Sequence, residues 1–187
     1  MFIMALTKTP LCEFGKKADF FKLKSTENEN IDLDMIRGTK GLLIMFICNH
    51  CPYVIATIKE IVETSKKLKK YNINSLAIMS NDTKNYPEDT FDNMIIFAKK
   101  YEFDFPYVID EEQSIAKKYN AVCTPDFFGY NNNLELQYRG RIREFNNLKQ
   151  VANSSNELLT SMLQIAKTGI GPEIQKPSMG CSIKWFK

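Results

Sequence analysis

The chain of 187 residues is short of several things, and each shortage excludes a class of protein. Its longest uninterrupted apolar stretch, Gly41 to Cys48, falls far below the roughly 20 residues a membrane helix needs, so a spanning helix is excluded. It has no long basic stripe: 25 Lys and Arg stand dispersed against 22 Asp and Glu, a net charge of +3, so neither nucleic acid nor an anionic membrane is an implied partner. Its five cysteines are too sparse and uneven to staple a small secreted domain, and the odd count leaves at least one thiol unpaired. The cysteines are therefore expected to do chemistry rather than hold structure. The apolar opening Met1 to Leu6 has no basic region before it and no small-residue cleavage site after it, which leads to the expectation of a cytoplasmic protein. There is no internal repeat and no low-complexity linker. What is present, 44% hydrophobic and 12% aromatic residues, suffices for a proper core in one domain spanning 1–187.

The hydrophobic pattern predicts an α/β chain. Leu42 to Ile47 is continuously apolar, as a strand buried on both faces should be. Ile55, Ile58, Ile61, Val62 and Leu68 then recur at helical spacing among lysines and glutamates, with Lys66, Lys67, Lys69 and Lys70 on the wet side. A second buried strand, Ile73 to Met79, a turn-rich stretch from Asn81 to Pro87 and a helix from Thr90 to Tyr101 follow. Tyr107 to Ile109 reads as a brief strand and Glu111 to Tyr119 as a short helix. Asp126 to Tyr130 and Leu134 to Arg139 flank three asparagines that mark a hairpin tip. A last helix from Leu148 to Ile165 should stop at Gly169, and the remainder to Lys187 reads as an extended strap. Upstream, Ala18 to Leu23 and Ile31 to Ile36 suggest strands of an N-terminal hairpin, about 15–38, preceding a core of about 40–168 and the strap 169–187.

The chemistry concentrates in Cys48-Asn49-His50-Cys51, at the junction of the buried strand and the first long helix. A helix N-terminus offers unpaired N–H groups and partial positive charge, both favouring a thiolate, so the first cysteine is expected to be acidified. The two-residue spacer brings the second sulfur within disulfide reach. Pro52 is harmless there, since first-turn N–H groups have no intrahelical acceptor. His50, the sole histidine, can stabilise the thiolate or stand idle in solvent. A redox pair is the leading reading; a zinc or copper site using Cys48, His50 and Cys51, and an inert apolar pair, are the alternatives.

These residues lie in a wider set of motifs. Gly15-Lys-Lys-Ala18-Asp19-Phe20 with Leu23, Phe46-Ile-Cys-Asn-His-Cys-Pro-Tyr-Val54, Asn81-Asp82 with Tyr86-Pro-Glu-Asp89, Phe105-Pro-Tyr107 with Asp110-Glu111, Cys123-Thr-Pro-Asp-Phe-Phe128 and Gly180-Cys-Ser-Ile-Lys-Trp185 together resemble a peroxiredoxin-like subfamily of the thioredoxin-fold superfamily, in the alkyl hydroperoxide reductase and thiol-specific antioxidant group. The resemblance implies a three-layer fold, a mixed sheet flanked by helices. It also implies a cis bond before Pro125, with the Thr124 backbone pairing a substrate peptide beside the cysteines.

Two departures qualify what carries over. If Cys51 is aligned with a peroxidatic cysteine, Cys48 takes the place of the family's orienting hydroxyl and Ile44 that of its proline. The buried acid that thioredoxins place six residues before the first cysteine is here Leu42. The expectation is a thiol-disulfide oxidoreductase in cellular redox homeostasis, with Cys48 as nucleophile and Cys51 resolving. Asn49, His50, Cys123, Thr124 and Pro125 support it, no cofactor or metal is required, and the partners are protein or small-molecule thiols and disulfides. A thiol peroxidase using Cys51, acting on peroxides, and a copper- or zinc-binding module are the alternatives. Cys181 can form a disulfide with another cysteine or pack beside Trp185, the structural role being favoured; Cys12 has no assigned role, and Arg139, Arg141 and Arg143 are read as a solvated strand face.

Overall fold

The computed structural model describes residues 6–187; the apolar opening expected to carry no leader lies mostly outside them. Strand β1 (Leu6–Lys8) is followed by a hairpin, β2 (Lys22–Ser25) and β3 (Asn30–Asp32). The stretch read as continuing strand to Ile36 instead turns into a short helix, α1 (Leu33–Ile36), because the Asp32 carboxylate accepts the Met35 N–H and caps it. Strand β4 (Gly41–Phe46) is buried at every position and leads into α2 (Pro52–Lys69), with Pro52 in its first turn as expected. Next come β5 (Ile73–Met79), a 3₁₀ turn over Pro87–Asp89, α3 (Phe91–Lys100), β6 (Tyr107–Ile109) and α4 (Ser114–Lys118). The chain continues through β7 (Cys123–Thr124), β8 (Asp126–Asn131) and β9 (Leu136–Tyr138). A small ribbon, β10 (Phe145–Asn146) and β11 (Lys149–Gln150), precedes α5 (Glu157–Thr168), and β12 (Met179–Ser182) lies within the strap.

Seven strands form the main sheet in the order β3-β2-β6-β5-β4-β8-β9. It is mixed: β4 pairs in parallel with β5 and antiparallel with β8. Because side chains alternate along a strand, β4 feeds two cores. Leu43 and Met45 pack with α2, α3 and α5, whereas Leu42, Ile44 and Phe46 pack with α1 and α4 on the opposite face. Each such fully buried side chain contributes about 1.5–3 kcal/mol of transfer free energy. The expected mixed sheet between helices, with its N-terminal hairpin, is thus present.

Three expectations need correction. The last helix begins at Glu157 rather than Leu148, because Asn147, Leu148 and Asn153 adopt left-handed backbone and Asn156 caps the helix by accepting the Leu159 N–H. At the hairpin tip the left-handed residue is Leu134, while Asn131 Oδ1 accepts the Asn133 and Glu135 N–H groups. The arginines are not a solvated face. Arg139 is 1% exposed and pairs with Asp126 at 2.9 Å, Arg141 pairs with Glu157 at 2.7 Å, and Arg143 donates to Glu60 at 2.6 Å. The β9 strand ends at Tyr138, so simple alternation stops before Arg139.

A second, three-stranded sheet in the order β1-β12-β7 brings the strap to the site. The strap is therefore partly a strand, not merely an extended cover. Its glycines permit the approach: a side-chain carbon on Gly180 would stand 1.9 Å from the Thr124 carbonyl oxygen.

Candidate active site

Cys48 and Cys51 lie between β4 and α2, where the sequence places them, and are 1% and 0% exposed. All five cysteines are free thiols in this structure. The helix begins at Pro52, so its N-cap is Cys51, not Cys48. The expected order of acidity is reversed as well. Burial, the neighbouring Cys51 and the Asp89 charge push the Cys48 thiol well above its ordinary value. Cys51 is held well below its ordinary value by donation from the Cys181 and Cys48 thiols, the Thr124 hydroxyl and the Val54 N–H, against a desolvation cost. When protonated, Cys51 donates to the Thr124 carbonyl oxygen, 3.1 Å away. That oxygen opposes a thiolate, yet four donors at a helix start outweigh one carbonyl dipole. Cys51 is the acidic thiol of the pair.

The Thr124–Pro125 bond is cis, as expected. Thr124 Oγ1 stands 3.4 Å from Cys48 Sγ and also serves Cys51, so a hydroxyl is present after all, supplied from a distant strand rather than from position 48. The Thr124 backbone is not open for a partner. β12 pairs with β7, with Cys181 opposite Thr124 and Ser182 opposite Cys123. Cys181, expected to join a disulfide or pack beside Trp185, is a free buried thiol hydrogen-bonded with Cys51. Cys123 is buried with its thiol 3.7 Å from the Pro125 carbonyl oxygen, and burial raises it far above an ordinary thiol. Cys12 lies away from the pair near Arg139, pushed up to about 11 by burial.

The other flank is built by Asp89, which sequence reasoning passed over although its Tyr86-Pro-Glu-Asp89 motif is conspicuous. Asp89 is fully buried, accepts the Asn49 N–H at 2.8 Å and the Asn81 amide at 2.8 Å, and stands 2.8 Å from His50 Nδ1. The His50 contact is a charge pair rather than a well-aligned hydrogen bond, and the ring stacks on Tyr86 at 5.7 Å. Asp89 raises the His50 pKa above its ordinary 6.5. His50 thus engages a carboxylate, not a sulfur. Asn49 is pinned by its own amide to the Glu88 carbonyl and by the Tyr107 hydroxyl on its Oδ1.

Among the described residues, Cys48, His50 and Asp89 bring donor atoms within 4.8 Å of one another, so a cation there would use Asp89 in place of the Cys51 expected from sequence. Such a mixed set suits zinc better than Cu(I). It would also have to displace the hydrogen bonds that occupy Asp89. Beyond Pro125 lies a cavity of about 580 Å³ walled by Tyr53, Phe127, Ile142, Phe145 and Met179. Among the described residues no helix is long and apolar enough to cross a membrane.

The AhpC/TSA family model matches residues 14–145. An uncharacterized conserved protein from Geobacillus kaustophilus is 35% identical, with a TM-score of 0.92 over 99% of this chain and 98% of that one. A hypothetical protein from Sinorhizobium meliloti 1021 is 31% identical, with a TM-score of 0.88 over 96% and 98% of the two chains. A protein from Bacillus thuringiensis named thiol-disulfide oxidoreductase ResA is 26% identical over 122 residues, 65% of this chain and 66% of that protein's length.

Proposed function

The chain belongs to the AhpC/TSA family, and on that premise we propose that it is a thiol-disulfide oxidoreductase whose working pair is Cys48 and Cys51. The observation that carries the reading is the buried pair itself, set against the cis Thr124–Pro125 bond. Cys51 Sγ lies 3.1 Å from the Thr124 carbonyl oxygen, Cys48 Sγ lies 3.4 Å from the Thr124 hydroxyl, and the Cys51 thiol is held well below its ordinary value. Cys51, rather than Cys48, then attacks. Its thiolate displaces one sulfur of a partner disulfide, the partner bond breaks, and the leaving thiolate departs. Cys48 gives up its proton and attacks Cys51 Sγ in the mixed disulfide. The Cys48–Cys51 bond closes as the second partner thiol leaves, so the partner is reduced by two electrons and the pair oxidised by two. Protein or small-molecule disulfides are the substrate class, and the cytoplasm, expected from the sequence, is the compartment.

Trapping tests this. With a disulfide substrate, Cys51→Ser should abolish turnover, whereas Cys48→Ser should accumulate a mixed disulfide on Cys51, detected by mass spectrometry. Full turnover by Cys51→Ser would sink the assignment.

The Thr124 hydroxyl favours a second reading, a thiol peroxidase, because it places beside Cys51 the polar hydrogen that the sequence lacks at position 48. Cys51 would attack one peroxide oxygen, the O–O bond would break to release water or an alcohol, and Cys48 would expel a second water from the sulfenic acid. Stopped-flow mixing with hydrogen peroxide separates the two readings: consumption no faster than by a free thiol removes the peroxidase.

A further inference from the structure

The strap is fastened to the active site more firmly than a surface cover requires. Ser178 Oγ donates to the Pro125 carbonyl at 2.8 Å, the Ile183 N–H donates to Val122 at 3.2 Å, and the Lys184 N–H donates to Asn81 Oδ1 at 2.9 Å. Asn81 in turn holds Asp89, so the strap and the cysteine loop share one hydrogen-bond network. Gly180, with no side chain, lets the strand settle on the Thr124 carbonyl. The register then sets Cys181 opposite Thr124, the residue that contacts both Cys48 and Cys51. Cys48, Cys51 and Cys181 belong to one buried cluster, and the Cys181 thiol donates to Cys51 Sγ.

We propose that Cys181 is a third redox-active thiol, which converts the Cys48–Cys51 disulfide into a Cys51–Cys181 disulfide. The proposal rests on the reading above that Cys51 is the sulfur entering disulfides. In the exchange, Cys181 gives up its proton and attacks Cys51 Sγ; the bond to Cys48 breaks, and its electron pair leaves on Cys48 Sγ, which takes a proton. One thiol and one disulfide become one thiol, now at position 48, and one disulfide, with no net oxidation and no outside reagent. The trigger lies in the charge on Cys51. In the reduced protein the Cys51 thiolate and burial keep Cys181 protonated, while Lys184 acts in the opposite direction. Once Cys51 enters a disulfide its charge is gone, so the largest influence holding Cys181 protonated is removed and Lys184 acts mainly against burial. The product ties the strap covalently to the start of α2 and frees Cys48.

Oxidised glutathione applied to the Cys48→Ser protein tests this, followed by acid quench, alkylation and peptide mapping. The Cys51 thiolate should take up glutathione, and Cys181 should then expel it, leaving a Cys51–Cys181 cross-link. A persistent glutathione adduct on Cys51 with Cys181 alkylated would overturn the proposal while preserving the role of Cys51. No adduct or cross-link at Cys51, together with no Cys48–Cys51 disulfide in wild type, would overturn the underlying reading as well. If Cys48→Ser does not fold, the wild-type map decides, since a Cys181-containing peptide joined to the Cys48/Cys51 peptide is required. Cys181→Ala should lack that species and retain the Cys48–Cys51 disulfide.

Discussion

At Cys51 the hydrogen bond with Cys181 leads the influences that hold the thiol well below its ordinary value, and the resulting charge can be read from ultraviolet absorbance. Thiolate absorbance near 240 nm should persist at pH 6, far below the ordinary value of 9.0, vanish in Cys51→Ser and survive in Cys48→Ser. Signal loss in Cys48→Ser instead would assign the thiolate to the first cysteine. His50 carries a second pH signature. Its folded pKa is raised by Asp89, so the stability this pair supplies is complete below about 6.5 and drains away as pH rises through the raised value. The difference in unfolding free energy between wild type and His50→Gln should therefore shrink from pH 6 to pH 8 in urea titrations; a constant difference would show that the pair is not linked to protonation. The two-residue spacer and its place between strand and helix were legible in the sequence, because Cys-x-x-Cys at such a junction has few other uses. The order of acidity was not. It depends on burial and on contacts from residues distant in the chain, Cys181 with Cys51 and Asp89 with Cys48, which hydrophobic periodicity does not reveal.

At the scale of elements, β12 depends on one missing side chain. Gly180→Ala would drive a carbon into the Thr124 carbonyl, which cannot swing aside as a flexible side chain would. A cost of about 1–3 kcal/mol is expected from overpacking of this kind. Hydrogen exchange should speed up at Thr124 and along β12 while β4 and β5 stay protected; unchanged exchange would show that the strand accommodates the methyl. The buried ion pair at the end of β9 is a second test. Arg139 also donates to the Asn120 carbonyl at 2.7 Å and lies over the Phe128 ring, so Arg139→Met leaves Asp126 buried and unpaired. That should cost about 3–5 kcal/mol by chemical denaturation, and a loss under 1 kcal/mol would refute its structural role. Periodicity revealed α2 and α3 because each buries one regular face, and short apolar stretches revealed β4 and β5 because each is buried on both faces. Periodicity failed at the arginines because β9 ends at Tyr138, before the alternation reaches them, and at Leu148 because left-handed residues break the period there. The pairing of β12 with β7 leaves no local trace, since it joins residues far apart in the chain.

For the whole molecule the decisive fact is that both thiols of the pair are covered. Small oxidants and thin, extended partners suit such a site better than bulky ones. In the intact protein a polyethylene-glycol maleimide should label Cys12, which is partly exposed, well before Cys48 or Cys51. Gly180→Ala should narrow that gap, and equal labelling of all sites in wild type would show that the strap leaves the pair open. The overall α/β architecture was legible because alternating strand and helix patterns admit few arrangements. What shields the chemistry was not, because a segment of mixed composition rich in glycine and proline gives no sign of the surface it will meet.

The strap follows the cysteines by more than a hundred residues, and that separation has a consequence during synthesis. At ribosomal speeds of about 5–20 residues per second, the cover emerges on the order of ten seconds after the thiols it protects. Through that interval the nascent chain presents an unshielded Cys48 and Cys51, lacking the Cys181 donor that helps hold the charge on Cys51. An oxidant that reaches the chain in that interval meets the pair without its cover.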